Sequence, residues 1–215
     1  MDIEYLLTST RSARKTLDLD APVDASEIRE CLRIACQAAN GSNQQPWKWL
    51  VVRDPGLRAE IARLYREAYL SATGGRLLGD RLSADEPFGR LMSSTEWLVE
   101  HLADVPVYVI PCYEPYLPQQ EHDDSFQTAT LYGSIFPAVW NFQLALHARG
   151  YGTCLTTLHL HHEAEVRTLL RIPETVVQGC LLPVARLRAG HRFRPAPRRP
   201  IDEVVAVDGW DGPPL

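Results

Sequence analysis

From Ser125 to Arg149 the chain places apolar residues on almost every face of a helix. Such a helix has no side to give to water, so it belongs at the centre of a molecule or in an interface. Its most apolar run, Leu131 to Ala148, is broken by Ser134, Pro137, Asn141, Gln143 and His147. Those breaks make it a poor bilayer span and a plausible buried helix. Asp123-Asp124 caps it, and Gly150-Tyr151-Gly152 ends it. Pro137 removes one ladder hydrogen bond and should kink it.

The rest of the chain must pack around that element. A length of 215 residues fits one large domain or two small ones. With 45% hydrophobic and 23% charged residues, the composition is that of an ordinary soluble globular protein. The net charge of −5 gives no global electrostatic case for nucleic acid. Five cysteines, Cys31, Cys36, Cys112, Cys154 and Cys180, show no CxxC spacing and sit mostly among apolar neighbours. They read as buried free thiols in a reducing compartment. The start, Met1-Asp2-Ile3-Glu4-Tyr5, is acidic where a signal peptide is basic, so a cytoplasmic location is expected.

Taken in order, residues 2–9 can form a short helix. Asp24-Ala25-Ser26-Glu27 has the capping-box form and opens a helix with Ile28, Leu32, Ala35 and Ala39 on one face. That helix should end near Asn40-Gly41. Trp49 to Arg53 reads as a strand, and Asp54-Pro55 starts a second helix striped by Leu57, Ile61, Leu64 and Ala68. Residues 73–90 form a long, glycine-containing connection of the kind that serves as a lid. A short helix near 94–103, a strand from Val105 to Tyr113, the long helix, a strand from Thr153 to Thr157, a helix at 162–171 and a strand from Val176 to Leu187 follow. From Gly190 the chain is Arg- and Pro-rich and cannot build a core. Ile201 to Val207 is a candidate last strand. There is no repeat and no clean domain boundary.

Three clusters carry possible chemistry. Arg11-Ser12-Ala13-Arg14 offers two guanidinium forks and a hydroxyl, a grip for phosphate. The junction Ala39-Asn40-Gly41-Ser42-Asn43-Gln44-Gln45-Pro46-Trp47 offers backbone N–H groups and amides to a flat polar ring. Arg198-Arg199 adds late positive charge. Singly, these are a solvated face, a polar turn and a basic tail; together they read as a cofactor site. His159-Leu160-His161-His162 lacks a second ligand group at metal spacing, so no metal is expected. GxSxG, Walker and GxGxxG motifs do not occur, which argues against a hydrolase elbow, a P-loop and a Rossmann unit.

At this point the residues resemble the FMN-dependent nitroreductase superfamily. The likeness rests on Thr10-Arg11-Ser12-Ala13-Arg14 and on Ala39 to Trp47. It continues in Tyr132-Gly133-Ser134-Ile135-Phe136-Pro137-Ala138-Val139 leading to Gly150-Tyr151-Gly152-Thr153, and in Arg198-Arg199-Pro200-Ile201-Asp202-Glu203-Val204-Val205. These segments stand in the family's order over nearly the whole chain. The resemblance implies an α+β fold with a central, mostly antiparallel sheet flanked by helices. It implies a single domain over 1–215, in which residues 190–215 form an arm that crosses to the partner of an obligate homodimer and adds a strand there. Two FMN sites would lie at the subunit interface.

Carried over by position, Arg11, Ser12 and Arg14 resemble the first FMN contacts, to phosphate, ribityl and ring edge. Thr10 stands where family members usually have another Arg. Ala39, Asn40, Gly41 and Asn43 resemble the turn facing the ribityl chain and ring, with Ala39-Asn40 in place of the usual Pro-Ser. Ser134 matches the central-helix position that reaches the flavin from the partner. Thr157 and Leu158 match the backbone beside the ring's N5 edge, and Arg198 the late phosphate-binding Arg, with Arg199 as helper. The resemblance places the chemistry on FMN, with no catalytic side chain. FMN would take a hydride from NADH or NADPH and pass electrons, by a ping-pong mechanism, to a nitroaromatic, a quinone or a similar small aromatic acceptor. The variable stretch near 73–126 would line the acceptor cavity, with Tyr65, Tyr69, Phe88, Trp97 and Phe126 as candidates. The alternatives are a specialised branch (reductive dehalogenation or fragmentation of FMN), a flavin-storage protein with little turnover, and a nucleic-acid module using the Arg-rich stretch 186–199. Net charge and the tail's likeness to the family arm argue against the last.

Overall fold

The computed structural model describes residues 2–79, 82–83, 86–115 and 124–215. Helices α1 (Ile3–Ser9), α2 (Ala25–Ala35), α3 (Pro55–Ala72), α4 (Pro87–His101), α5 (Asp124–Ala148) and α6 (Glu163–Leu170) surround one sheet. Its strands are β1 (Leu17–Asp18), β2 (Trp47–Val52), β3 (Val107–Tyr113), β4 (Tyr151–Thr153), β5 (Val177–Gln178) and β6 (Leu182–Leu187). Every pairing is antiparallel: β2 on one edge of β3, β5 and β6 on the other, and β1 and β4 on β6. This is the α+β architecture expected from the sequence.

β3 explains the layering. All seven of its residues are buried. Successive side chains in a strand point to opposite faces. Tyr108, Ile110 and Cys112 therefore enter one core with Ile61, Leu64 and Tyr65 of α3, Leu98 of α4 and Val166 of α6. Val107, Val109 and Tyr113 enter the other with Ile28 and Cys31 of α2 and Ile135, Phe142 and Leu146 of α5. The sheet is thus covered on both faces, and a one-residue slip of β3 would exchange the two sets.

α5 runs without a break through Pro137. Its inner face packs on the sheet and α2, where Arg149 also reaches Glu27 at 3.1 Å. Among the described residues part of its other face is exposed: Tyr132 is 43% exposed and Trp140 39%. An all-round apolar helix has here become half core and half uncovered apolar surface. Among the described residues, no helix is long and apolar enough to cross a membrane.

Several boundaries differ from the sequence expectation, each for a local reason. α2 stops at Ala35, because Gln37 N–H bonds Ile34 O and Ala38 N–H bonds Ala35 O, tightening the chain into turns before Asn40. The strand expected over 176–187 divides after Gly179: its N–H still bonds Pro111 O at 2.8 Å, in register with the β3–β5 pairs, and β6 then pairs with β3 one residue out of that register. The strand expected at 153–157 shrinks to β4 and a single bridge at Thr156. α4 starts at Pro87, inside the long connection. Ile201–Glu203 is a 3-10 turn with no strand pairing in this chain. Asp123 and His122 lie outside the described residues.

Candidate functional site

Residues 11–16 run along β4, held by Ala13 N–H bonding Thr153 O at 2.8 Å. The approach is close. A Cβ on Gly152 would stand 2.8 Å from Ala13 Cβ and 2.7 Å from methyl carbons of both Leu17 and Leu187. Glycine at 152 therefore lets the arginine-bearing segment lie flat on the sheet.

Arg11 and Ser12 then face outward, while Arg14 turns inward and is half-buried. Its Nε is buried with no hydrogen-bond partner. The guanidinium lies beside Cys154, whose thiol burial pushes up to about 11 against the opposing pull of that cation. Tyr65, raised by burial to about 12, shares its hydroxyl with Thr156 Oγ1 at 2.8 Å and also feels Arg14. Thr156 is bonded on both sides of its peptide to Leu181. Arg14 thus lies beside Cys154 and acts electrostatically on Tyr65, which holds Thr156. Thr157 itself is exposed and precedes a 3-10 turn over Leu158–His162.

The C-terminal stretch closes this region. Phe193 is buried between the rings of His147 and His191, each at 4.9 Å, and its carbonyl accepts from Tyr5 OH at 3.1 Å. Arg11, Ser12, Arg14, Lys15, Arg192 and Arg194 line one concavity of about 240 Å³ with Thr16 and Ser94. Arg198 and Arg199 are exposed and lie outside that lining; Arg198 Nη1 donates to its neighbour Pro197 O at 3.1 Å. Thr10 has a structural partner. Its hydroxyl donates to Leu6 O at 2.6 Å and, with that proton spent, accepts from His147 Nδ1 at 2.6 Å.

The amide turn lies elsewhere in the chain. Gly41 N–H donates to Ser134 Oγ at 3.1 Å, and Ser134 Oγ donates to Thr130 O. Asn40 Oδ1 accepts from Gln45 N–H at 2.9 Å. Ser42, Asn43 and Gln45 all have φ near +50°, a region L-residues enter at a cost. Ala39 and the Asn43 side chain are exposed. Ser134 marks this cluster and His147 marks the arginine cluster. The step of thirteen positions along α5 from one to the other corresponds to about 20 Å. Within one chain, the two halves of the expected site therefore sit near the middle and at the C-terminal end of α5.

Of the expected cavity-lining aromatics, Tyr65 and Tyr69 are core residues and Trp97 packs against that core. Phe88 is 57% exposed. Lys15, Arg192, Arg194 and the Tyr65–Thr156 pair were not singled out from the sequence. The alternation Arg192-Phe193-Arg194, one apolar side chain between two cations, was the available signal.

This antiparallel sheet with covered faces, carrying a cationic concavity beside β4, defines an α+β protein with a cluster of positive charge at its rim. The nitroreductase family matches residues 7–186, and the chain belongs to it. An iodotyrosine deiodinase of Thermotoga neapolitana is 26% identical over 213 residues, 95% of this chain and 97% of that protein. Among solved structures, an FMN- and NADPH-dependent nitroreductase, NfnB, from a Sphigopyxis strain superposes with a TM-score of 0.70 at 17% identity, over 98% of this chain and 100% of that one. An iodotyrosine deiodinase bound to FMN and 3-iodo-L-tyrosine superposes at 0.65 and 21% identity, over 93% and 95%.

Proposed function

We propose that the chain is an FMN-dependent oxidoreductase. It would act as a homodimer that draws electrons from NADH or NADPH and delivers them to an electron-poor aromatic acceptor. Membership of the nitroreductase family supports the coarser part, a flavin-dependent oxidoreductase. The observation that carries the rest is the buried, partnerless Nε of Arg14 in a wall of cations. A buried guanidinium N–H without a partner is costly, and an anionic, acceptor-rich group beside it removes that cost. The residues present fit a monophosphorylated flavin.

Each residue has a separate task in this reading. Arg11 and Ser12, joined by Arg198 and Arg199 of the arm, grip the phosphate by charge-assisted hydrogen bonds. Arg14, fixed beside Cys154, sets a positive charge at the inner wall and favours a bound group that gains negative charge. Tyr65, through Thr156, holds the backbone of Thr157 and Leu158 in place. Ala39, Asn40, Gly41 and Asn43, with Ser134 behind Gly41, supply the opposite wall from the partner subunit. Bound FMN supplies the exchange of two electrons between nicotinamide and acceptor. The side chains bind, orient and exclude water, and none needs to act as a nucleophile.

The separation of about 20 Å supports the dimer. Two α5 helices packed antiparallel about a two-fold axis bring the amide turn of one protomer to the arginine concavity of the other. Their open apolar faces supply the contact. The deciding experiment is a visible spectrum of the purified protein. Flavin bands that bleach anaerobically with NADH or NADPH support the reading; a colourless protein that takes up no added FMN ends it. Because relatives include both deiodinases and nitroreductases, reoxidation is to be followed with a nitroaromatic and with a halogenated phenol.

A further inference from the structure

The concavity holds more positive charge than one phosphomonoester requires. In the flavin reading Arg11, with Arg198 and Arg199, already balances its two negative charges, and Arg14 serves the inner wall. Lys15, Arg192 and Arg194 remain, and all three line the same space. Among the described residues none of them forms an ion pair with a carboxylate. All three are exposed, so solvent screens their mutual repulsion, yet three cations on one concavity in a chain of net charge −5 form a local positive field that favours an anion.

Their position is built rather than incidental. Phe193 is anchored by His147, His191 and Tyr5, so Arg192 and Arg194 leave the chain on either side of a fixed point. Lys15 follows the inward-turned Arg14 but points the other way, to Ser93 Oγ of α4 at 2.8 Å. Ser94, the next residue of α4, completes the wall. The space therefore has an inner side at Arg14 and an outer rim between α4 and the arm.

We infer that this rim, made by Lys15, Ser94, Arg192 and Arg194, is a second anion subsite that takes the 2′-phosphate of an adenosine, which makes NADPH rather than NADH the reductant. The inference rests on the flavin reading above. The two nicotinamide reductants differ by one phosphomonoester, and a fixed group of cations beyond the flavin's own phosphate is what distinguishes them. Arginine forks are suited to that group.

The test is calorimetric titration of the FMN-loaded protein with adenosine 2′,5′-bisphosphate and with adenosine 5′-monophosphate. The bisphosphate should bind at least about tenfold more tightly, the scale of a charge-assisted contact. The Arg192→Ala/Arg194→Ala double variant should lose that difference, and its ratio of kcat/KM for NADPH over NADH should fall by a similar factor. Lys15→Ala, on the opposite wall, should reproduce part of the loss if the double variant folds poorly. Equal affinity for the two nucleotides, or a preference that survives both sets of substitutions, overturns the inference. So does release of flavin fluorescence by the bisphosphate, since the rim would then hold the flavin's own phosphate. If the protein takes up no FMN, the flavin reading fails separately, and the same titration of the chain as purified still decides the subsite.

Discussion

Arg14 is where most of the site's energy should be concentrated. It brings a charge inward, leaves Nε without a protein partner, lies beside Cys154 and acts electrostatically on Tyr65, the partner of Thr156. Arg14→Ala should weaken FMN binding by about 1.5–3 kcal/mol, the value of a charge-assisted hydrogen bond, read as the midpoint of flavin fluorescence quenching. Unchanged affinity would remove Arg14 from the site. Gly152 works through space rather than charge. Gly152→Ala puts a methyl against Ala13, Leu17 and Leu187, and overpacking of that kind costs roughly 1–3 kcal/mol. The melting temperature should drop by several degrees, given about 2–4 °C per kcal/mol for a chain of this size. An unshifted melt would mean that the arginine segment can move off β4 without penalty.

At the scale of elements, the 3-10 turn Leu158–His162 carries a buried histidine. Both ring nitrogens of His159 lack hydrogen-bond partners, and burial pushes its pKa down to about 4. The unfolded chain, with an ordinary histidine near 6.5, therefore binds more protons than the folded one between those values. Stability is full above about pH 6.5 and falls as pH drops toward 4, by on the order of 3 kcal/mol. Urea midpoints from pH 7.5 to 4.5 should trace that fall, and His159→Leu should flatten it. A variant with the wild-type slope would place the effect on another group. The element scale is also where the sequence was most legible. β3, α3 and α5 are long or strongly patterned, so their apolar order alone located them. The split at Gly179 was hidden because a one-residue change of register along β3, between β5 and β6, leaves no trace in residue type. The early end of α2 was hidden for the same reason: turns at 36–38 are backbone bonds, and the amides at 40–45 looked like the natural stop.

For the whole molecule, the sequence offers clusters of candidate site residues, and what it does not show is how far apart one chain holds them. Arg11, Ser12 and Arg14 could be picked out as a grip, and Asn40, Gly41 and Ser134 as a wall, yet nothing in their spacing says that α5 holds them about 20 Å apart. Trp140 falls midway between Ser134 and His147 and is 39% exposed on the open apolar face. A two-fold axis near Trp140 superposes the amide region of one α5 on the arginine end of its partner, which makes this residue the centre of the proposed contact. Apolar patches of this kind on a soluble chain mark interaction surfaces. Trp140→Glu places like charges across that axis and should turn the dimer into monomers in light scattering. FMN should be lost in the same step, because each chain keeps only half of the site. A Trp140→Glu protein that stays dimeric would move the interface away from α5. One that becomes monomeric yet binds FMN with wild-type affinity would return the whole site to a single chain.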